Sequence, residues 1–140
     1  MEKNVNKERL QKEAKKAMEH AYAPYSDFRV GACIELKDGT YILGANIENA
    51  AYGSCMCAER SAIYAAYSKG YRKKDILALA IASDGAEMIT PCGACRQVLS
   101  ELLEKDTPIL LTGKKKEKIV TVEELLPFTF GKENLEKEER

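Results

Sequence analysis

The chain has 140 residues, with 22 Lys or Arg balanced by 22 Asp or Glu. That length holds one core rather than two, and the balance leaves no field to draw the protein onto a phosphate backbone or an anionic membrane, so small, near-neutral ligands are the expected class. No stretch approaches the roughly 20 apolar residues that span a bilayer, and five cysteines behind a polar, signal-free N-terminus point to metal binding or free thiols in a reducing cytoplasm rather than to disulfides.

Leu10, Ala14, Ala17, Met18 and Ala21 recur at helical spacing, with Asn6 placed to cap them and Pro24 to stop them, which predicts a helix over roughly 7–22. Phe28 to Leu36 and Thr40 to Asn46 read as antiparallel strands joined through Lys37-Asp38-Gly39, because Asp-Gly suits the positive φ angles of a tight hairpin. Ile63, Tyr64, Ala66 and Tyr67 predict a helix from about Cys57 to Lys69, stopped by Gly70. Ile76 to Ala82 is almost continuously apolar, as in a strand covered on both faces, and Pro91 fits the first turn of a helix reaching about Leu103. Pro108 to Thr112 and Ile119 to Val122 read as two more strands, separated by a Gly113-Lys114-Lys115-Lys116 turn. A short helix follows, with Thr121 and Glu124 spaced as a capping box. Residues 132–140 are nearly all charged and read as a fraying tail behind a single domain, 1–131. This order predicts an α/β fold, a three-layer α/β/α sandwich around a mixed sheet of about five strands.

The chemistry is concentrated in Cys57-Ala58-Glu59 and Pro91-Cys92-Gly93-Ala94-Cys95. Three thiolates leave the fourth position of a tetrahedral zinc open to water, and Glu59 is a carboxylate free to carry protons. Both cysteine clusters are placed at helix starts, where the dipole lowers thiol pKa values. Three thiolates on Zn²⁺ still leave a formal charge of about −1, which opposes ionisation of bound water. A cation is needed beside the sulfurs, and Arg60 is favoured over Arg96 for that charge-balancing role. The rival reading counts Cys55 with Cys57, Cys92 and Cys95 as a closed, structural four-cysteine site; a fourth thiolate beside Glu59 would add yet more negative charge. Cys33 reads as a small core residue, and His20, far from the motif cysteines in sequence, as no ligand.

The motif matches the signature of zinc-dependent nucleobase deaminases, and the chain as a whole resembles cytidine deaminases of the short, homotetrameric, three-cysteine type. Besides Cys57-Ala58-Glu59-Arg60 and Pro91 to Gln97, the resemblance rests on Ala23 to Ala32, Asn46 to Tyr52 and Leu125 to Phe130, and Cys55 is similar to a residue of some bacterial members. It implies one zinc per subunit on Cys57, Cys92 and Cys95. It further implies zinc-bound hydroxide attacking C4 of cytidine or 2′-deoxycytidine, with Glu59 accepting the water's proton and delivering protons to ring N3 and to the departing amino group. Phe28 is implied to pack on the base, Ala58 to line the substrate site, and Asn46 and Glu48 to grip a ribose hydroxyl. Ala50, Tyr52 and Phe130 are implied to complete a neighbouring subunit's pocket, with Phe128 as the competing aromatic. The implied role is cytoplasmic pyrimidine salvage by a homotetramer with shared sites, without nucleic-acid or membrane partners. Deamination of another cytosine-containing small molecule is the alternative within the same chemistry. A polynucleotide substrate would need a basic groove with stacking aromatics, whereas the basic run Lys114-Lys115-Lys116-Glu117-Lys118 reads as a solvated turn.

Overall fold

Val30–Leu36 (β1), Tyr41–Ala45 (β2), Ile76–Ser83 (β3), Pro108–Thr112 (β4) and Glu117–Thr121 (β5) form one sheet in a computed structural model that describes residues 4–135. The strand order is β2-β1-β3-β4-β5; β3 and β4 run parallel and every other neighbouring pair antiparallel. Helices cover both faces: Lys7–Ala17 (α1) on one, Ala58–Ser68 (α2) and Gly93–Leu102 (α3) on the other, with the short Val122–Leu125 (α4) beside α3. This is the predicted three-layer mixed-sheet sandwich. None of the described helices is long and apolar enough to cross a membrane.

Strand alternation explains the layers. Ala32, Ile34, Leu79, Ile81, Ile109 and Leu111 pack with Ala58, Ala62, Ile63 and Leu99 in one core, while Cys33, Ala78, Ala80, Ala82 and Leu110 pack with Leu10 and Ala14 in the other. Both faces of β3 are thus buried, which is why its sequence shows no polar alternation. Cys33 is a core residue, as its apolar setting predicts. The two helical layers sit close because glycines meet them: a Cβ on Gly31 would lie 2.1 Å from Ala14 O, and one on Gly44 would lie 2.5 Å from Ala58 O.

Local signals hold at several boundaries. Asn6 Oδ1 accepts from Arg9 N at 3.1 Å as the α1 cap, and Thr121 with Glu124 forms the capping box of α4. Three expectations shift. The first helix gives way to a 3-10 turn at Met18–His20 and ends before Pro24, because Tyr22 N donates to Asn46 O and Tyr22 O accepts from Glu48 N, each at 2.9 Å. That pairing pulls the chain into extended backbone. In the β1–β2 hairpin only Gly39 takes positive φ (90°), so the connection is a three-residue loop ending in a left-handed glycine. Pro91 precedes the Cys92 cap of α3 instead of lying in its first turn. At the C-terminus Lys132–Leu135 form a 3-10 turn, with Asn134 Oδ1 accepting from Gly131 N at 2.8 Å; residues 136–140 of the predicted tail lie outside the described residues.

Candidate metal centre and active site

Topology brings the two cysteine motifs together. β2 and β3 run in the same direction, each antiparallel to β1, so the chain leaves both at the same end of the sheet, and α2 and α3 follow from there. Cys57 caps α2, Cys92 caps α3, and Cys95 lies in the first turn of α3. Their sulfurs all lie within 4.8 Å of one another, with Cys57 and Cys92 3.9 Å apart. Tetrahedral Zn–S bonds of about 2.3 Å would put sulfurs about 3.8 Å apart, so this donor set fits a zinc ion.

Cys55 stays out of the cluster. Its Sγ accepts from Asn49 N at 3.3 Å and donates to Asn49 O at 3.4 Å, closing the loop that carries Ala50 and Tyr52. Exposed His20 belongs to the 3-10 turn after α1 and is no part of the cluster. The three-sulfur reading, and not the four-cysteine one, matches the geometry.

The surrounding charges are arranged around the sulfurs. The Cys57 thiol is pulled down to about 5, first by the hydrogen bond from Cys95 and then, against its partial burial, by Arg60. Cys95 is held up in turn because it donates to Cys57, is buried and faces Glu59. Arg60 Nη2 lies 3.6 Å from Cys57 Sγ, while its Nε is buried without a partner. Arg96 is engaged elsewhere, Nε donating to Pro91 O at 2.8 Å and Nη1 to Leu125 O at 2.9 Å. Of the two arginines, Arg60 faces the sulfur. Glu59, in the first turn of α2, is only 4% exposed, and burial followed by the nearby Cys57 thiolate raises its carboxyl above the usual range.

On the other flank, Asn46 pins the segment that presents Phe28: its Oδ1 accepts from Val30 N at 2.9 Å and its Nδ2 donates to Phe28 O at 2.8 Å. Glu48 Oε1 accepts from Tyr25 N at 3.0 Å and Ser26 N at 3.1 Å, and its Oε2 accepts from the Ser26 hydroxyl. That hydroxyl is the main reason its carboxyl lies below the ordinary range. Both residues expected to touch a sugar therefore also brace the 25–30 segment. Sequence reasoning missed this bracing, and with it Ser26 and the Arg29–Asp84 ion pair (2.9 Å) that ties the start of β1 to the end of β3. Asp84 following the strand-ending Ser83 was the available signal.

Ala58, at the start of α2, is fully buried in the core. Tyr52 points outward, 70% exposed, its ring edge-on to Tyr25 at 5.6 Å between centroids, and Ala50 is exposed beside it. Phe130 is 59% exposed, but its carbonyl accepts from Gln97 Nε2 at 2.8 Å, anchoring its backbone to α3. Phe128 is fully exposed at φ 54°.

The family model for the cytidine and deoxycytidylate deaminase zinc-binding region matches residues 4–111. The chain is 47% identical over 132 residues to a cytidine deaminase of Halalkalibacterium halodurans, covering 94% of this chain and 98% of that one. It is 47% identical over 129 residues to a cytidine deaminase of Sporosarcina psychrophila, covering 91% and 93%. Among solved structures, a cytidine deaminase from Burkholderia pseudomallei superposes with a TM-score of 0.87 at 42% identity, over 90% of this chain and all of the other. One from Mycobacterium tuberculosis gives 0.77 at 36% identity, over 91% and 99%.

Proposed function

The chain belongs to the cytidine and deoxycytidylate deaminase family, and from that premise we propose that it hydrolyses cytidine and 2′-deoxycytidine to the corresponding uridines with release of ammonia. The observation that carries this reading is the convergence of three sulfurs within 4.8 Å, on two helix N-termini, with the buried Glu59, its carboxyl raised above the usual range by burial, in the first turn of the same helix as Cys57. Zinc held by Cys57, Cys92 and Cys95 supplies the Lewis acidity that lets water act as a nucleophile near neutral pH.

The chain's own residues manage the protons and the charge. Glu59 takes one proton from the attacking water and gives it to ring N3 as the oxygen bonds C4, then moves the remaining hydroxyl proton to the amino nitrogen as the C4–N bond breaks, so that a C4 carbonyl forms and ammonia leaves. A buried carboxyl with a raised pKa suits both directions of transfer near neutrality. Arg60, with the two helix N-termini, offsets the excess negative charge of three thiolates. Phe28 packs on the base and Ala58 lines the site. Asn46 and Glu48 hold the ribose, each still able to use a free lone pair or N–H. An ionised Glu48 near the sugar disfavours a 5′-phosphate, which supports nucleosides over nucleotides.

The exposed aromatic surface supports assembly. Tyr22, Tyr52, Ile47, Phe128 and Phe130 are all well exposed, and large exposed apolar side chains of this kind are what a subunit interface covers. Ala50, Tyr52 and Phe130 complete a neighbouring pocket in a homotetramer, and the enzyme works in cytoplasmic pyrimidine salvage. The test is a screen of the zinc-loaded protein against cytidine, deoxycytidine, their monophosphates and adenosine, reading absorbance change and ammonia. Turnover of the two cytosine nucleosides in preference to the rest is expected. No ammonia from either nucleoside refutes the proposal.

A further inference from the structure

Among the described residues, two buried side-chain polar atoms have no hydrogen-bond partner: Arg60 Nε, beside the sulfurs, and Ser83 Oγ. Ser83 closes β3 and is 3% exposed. Side chains alternate along a strand, so Ser83 shares the face of Leu79 and Ile81, which pack in the core with α2 and α3. It is paired with Val30, the residue whose N–H is held by Asn46, two positions after Phe28. A Cβ on Gly85 would sit 3.6 Å from Phe28 Cε1, 3.7 Å from Glu87 O and 3.9 Å from Ser83 Oγ, so hydroxyl, ring edge and a backbone carbonyl converge on one small space. The Arg29–Asp84 ion pair fixes the backbone on both sides of that space.

A buried hydroxyl with no partner lowers the stability of the free protein, and nearly all such groups in folded chains find one. A serine kept in this state at the end of a strand, between the ring expected to face the base and the loop leading to Cys92, is accounted for when its partner arrives with the ligand. We infer that Ser83 is a base-binding residue: its hydroxyl forms a hydrogen bond with the polar edge of the pyrimidine packed against Phe28. The hydroxyl can donate to a ring carbonyl or unprotonated ring nitrogen and can accept from a ring N–H. It therefore serves both cytosine and uracil. The inference rests on the cytidine reading above and adds a contact to it.

The experiment compares native and Ser83→Ala proteins, both zinc-loaded, by calorimetric titration with uridine and by thermal unfolding without ligand. Uridine binding needs no turnover, so failure of the deaminase reading is scored separately, by ammonia release from cytidine. Loss of one neutral hydrogen bond should weaken uridine binding about fivefold to tenfold. The melting temperature without ligand should stay the same or rise, since alanine removes an unpaired hydroxyl. Ser83→Cys, whose thiol bonds weakly, should fall between the two. Uridine affinity within about twofold of native overturns the inference. So does a fall in melting temperature of several degrees, which would tie the hydroxyl to the fold instead. Absence of uridine binding to the native protein overturns it together with the nucleoside reading.

Discussion

Replacing Gly44 with alanine should displace the helix that, with its cap, carries Cys57, Ala58, Glu59 and Arg60. The new Cβ would stand 2.4 Å from Ala62 N, 2.5 Å from Ala58 O and 2.9 Å from Ala62 Cα. All three are backbone atoms of α2, so no side chain can swing aside. β2 is bound along β1 from Gly31↔Ala45 to Glu35↔Tyr41, so the helix is the part that yields, by about 1 Å if ordinary contact is restored. Cys57, Glu59 and Arg60 move with it, while Cys92 and Cys95 stay on α3. Metal–ligand distances tolerate only about 0.2 Å, and a misplacement of about 1 Å at reacting groups can cost about 10²-fold in rate. Overpacking itself costs about 1–3 kcal/mol of stability. Expected, then, are a lower melting temperature, weaker zinc retention under chelator challenge, and kcat/KM for cytidine down by about 10²-fold. A Gly44→Ala protein with native zinc retention and kcat/KM within about twofold of native would refute the claim that this contact sets the site.

Arg60→Gln should weaken zinc retention about 10- to 100-fold, as loss of a group supporting a metal ligand does, read by competition with a chromogenic chelator. Unchanged zinc retention and unchanged turnover would remove Arg60 from charge balance. Cys55→Ser should keep one zinc per chain by elemental analysis, because Cys55 bonds Asn49 and not the cluster; loss of metal would restore the four-cysteine site. Ser26→Ala removes the main bond that depresses Glu48. Since the folded pKa of Glu48 lies below its unfolded value, this contribution is present above the unfolded pKa and disappears as pH falls through the folded one. The melting-temperature gap between native and Ser26→Ala should therefore be widest at neutral pH and narrow in acid below the ordinary carboxylate range, down to the part owed to the bond the hydroxyl accepts from Phe28 N at 3.1 Å. A gap of the same size at both pH values would remove Glu48 from the hydroxyl's contribution.

What could be read from the sequence was what local chemistry dictates. Asn6 as a cap, Thr121 and Glu124 as a capping box, Gly70 as a helix stop (φ 97°) and the unbroken apolar run of β3 depend on near neighbours or on burial of both faces. The cysteine motifs were legible because metal coordination limits ligand type and spacing. The early end of α1 was not, because Tyr22 is captured by Asn46 and Glu48, more than twenty residues away. Nor were the bracing bonds of Asn46 and Glu48, or the glycine contacts beneath α2. These depend on elements meeting in space, and no periodicity encodes them.

The role proposed for Glu59 is to move protons at a site whose metal is held by other residues. Its most direct test is the Glu59→Gln protein, assayed for cytidine absorbance loss after zinc content has been measured in the same sample. Expected are a native complement of zinc and turnover reduced by about 10²-fold or more, the usual worth of a positioned acid–base group. A zinc-replete Gln variant that deaminates cytidine at the native rate would contradict that role.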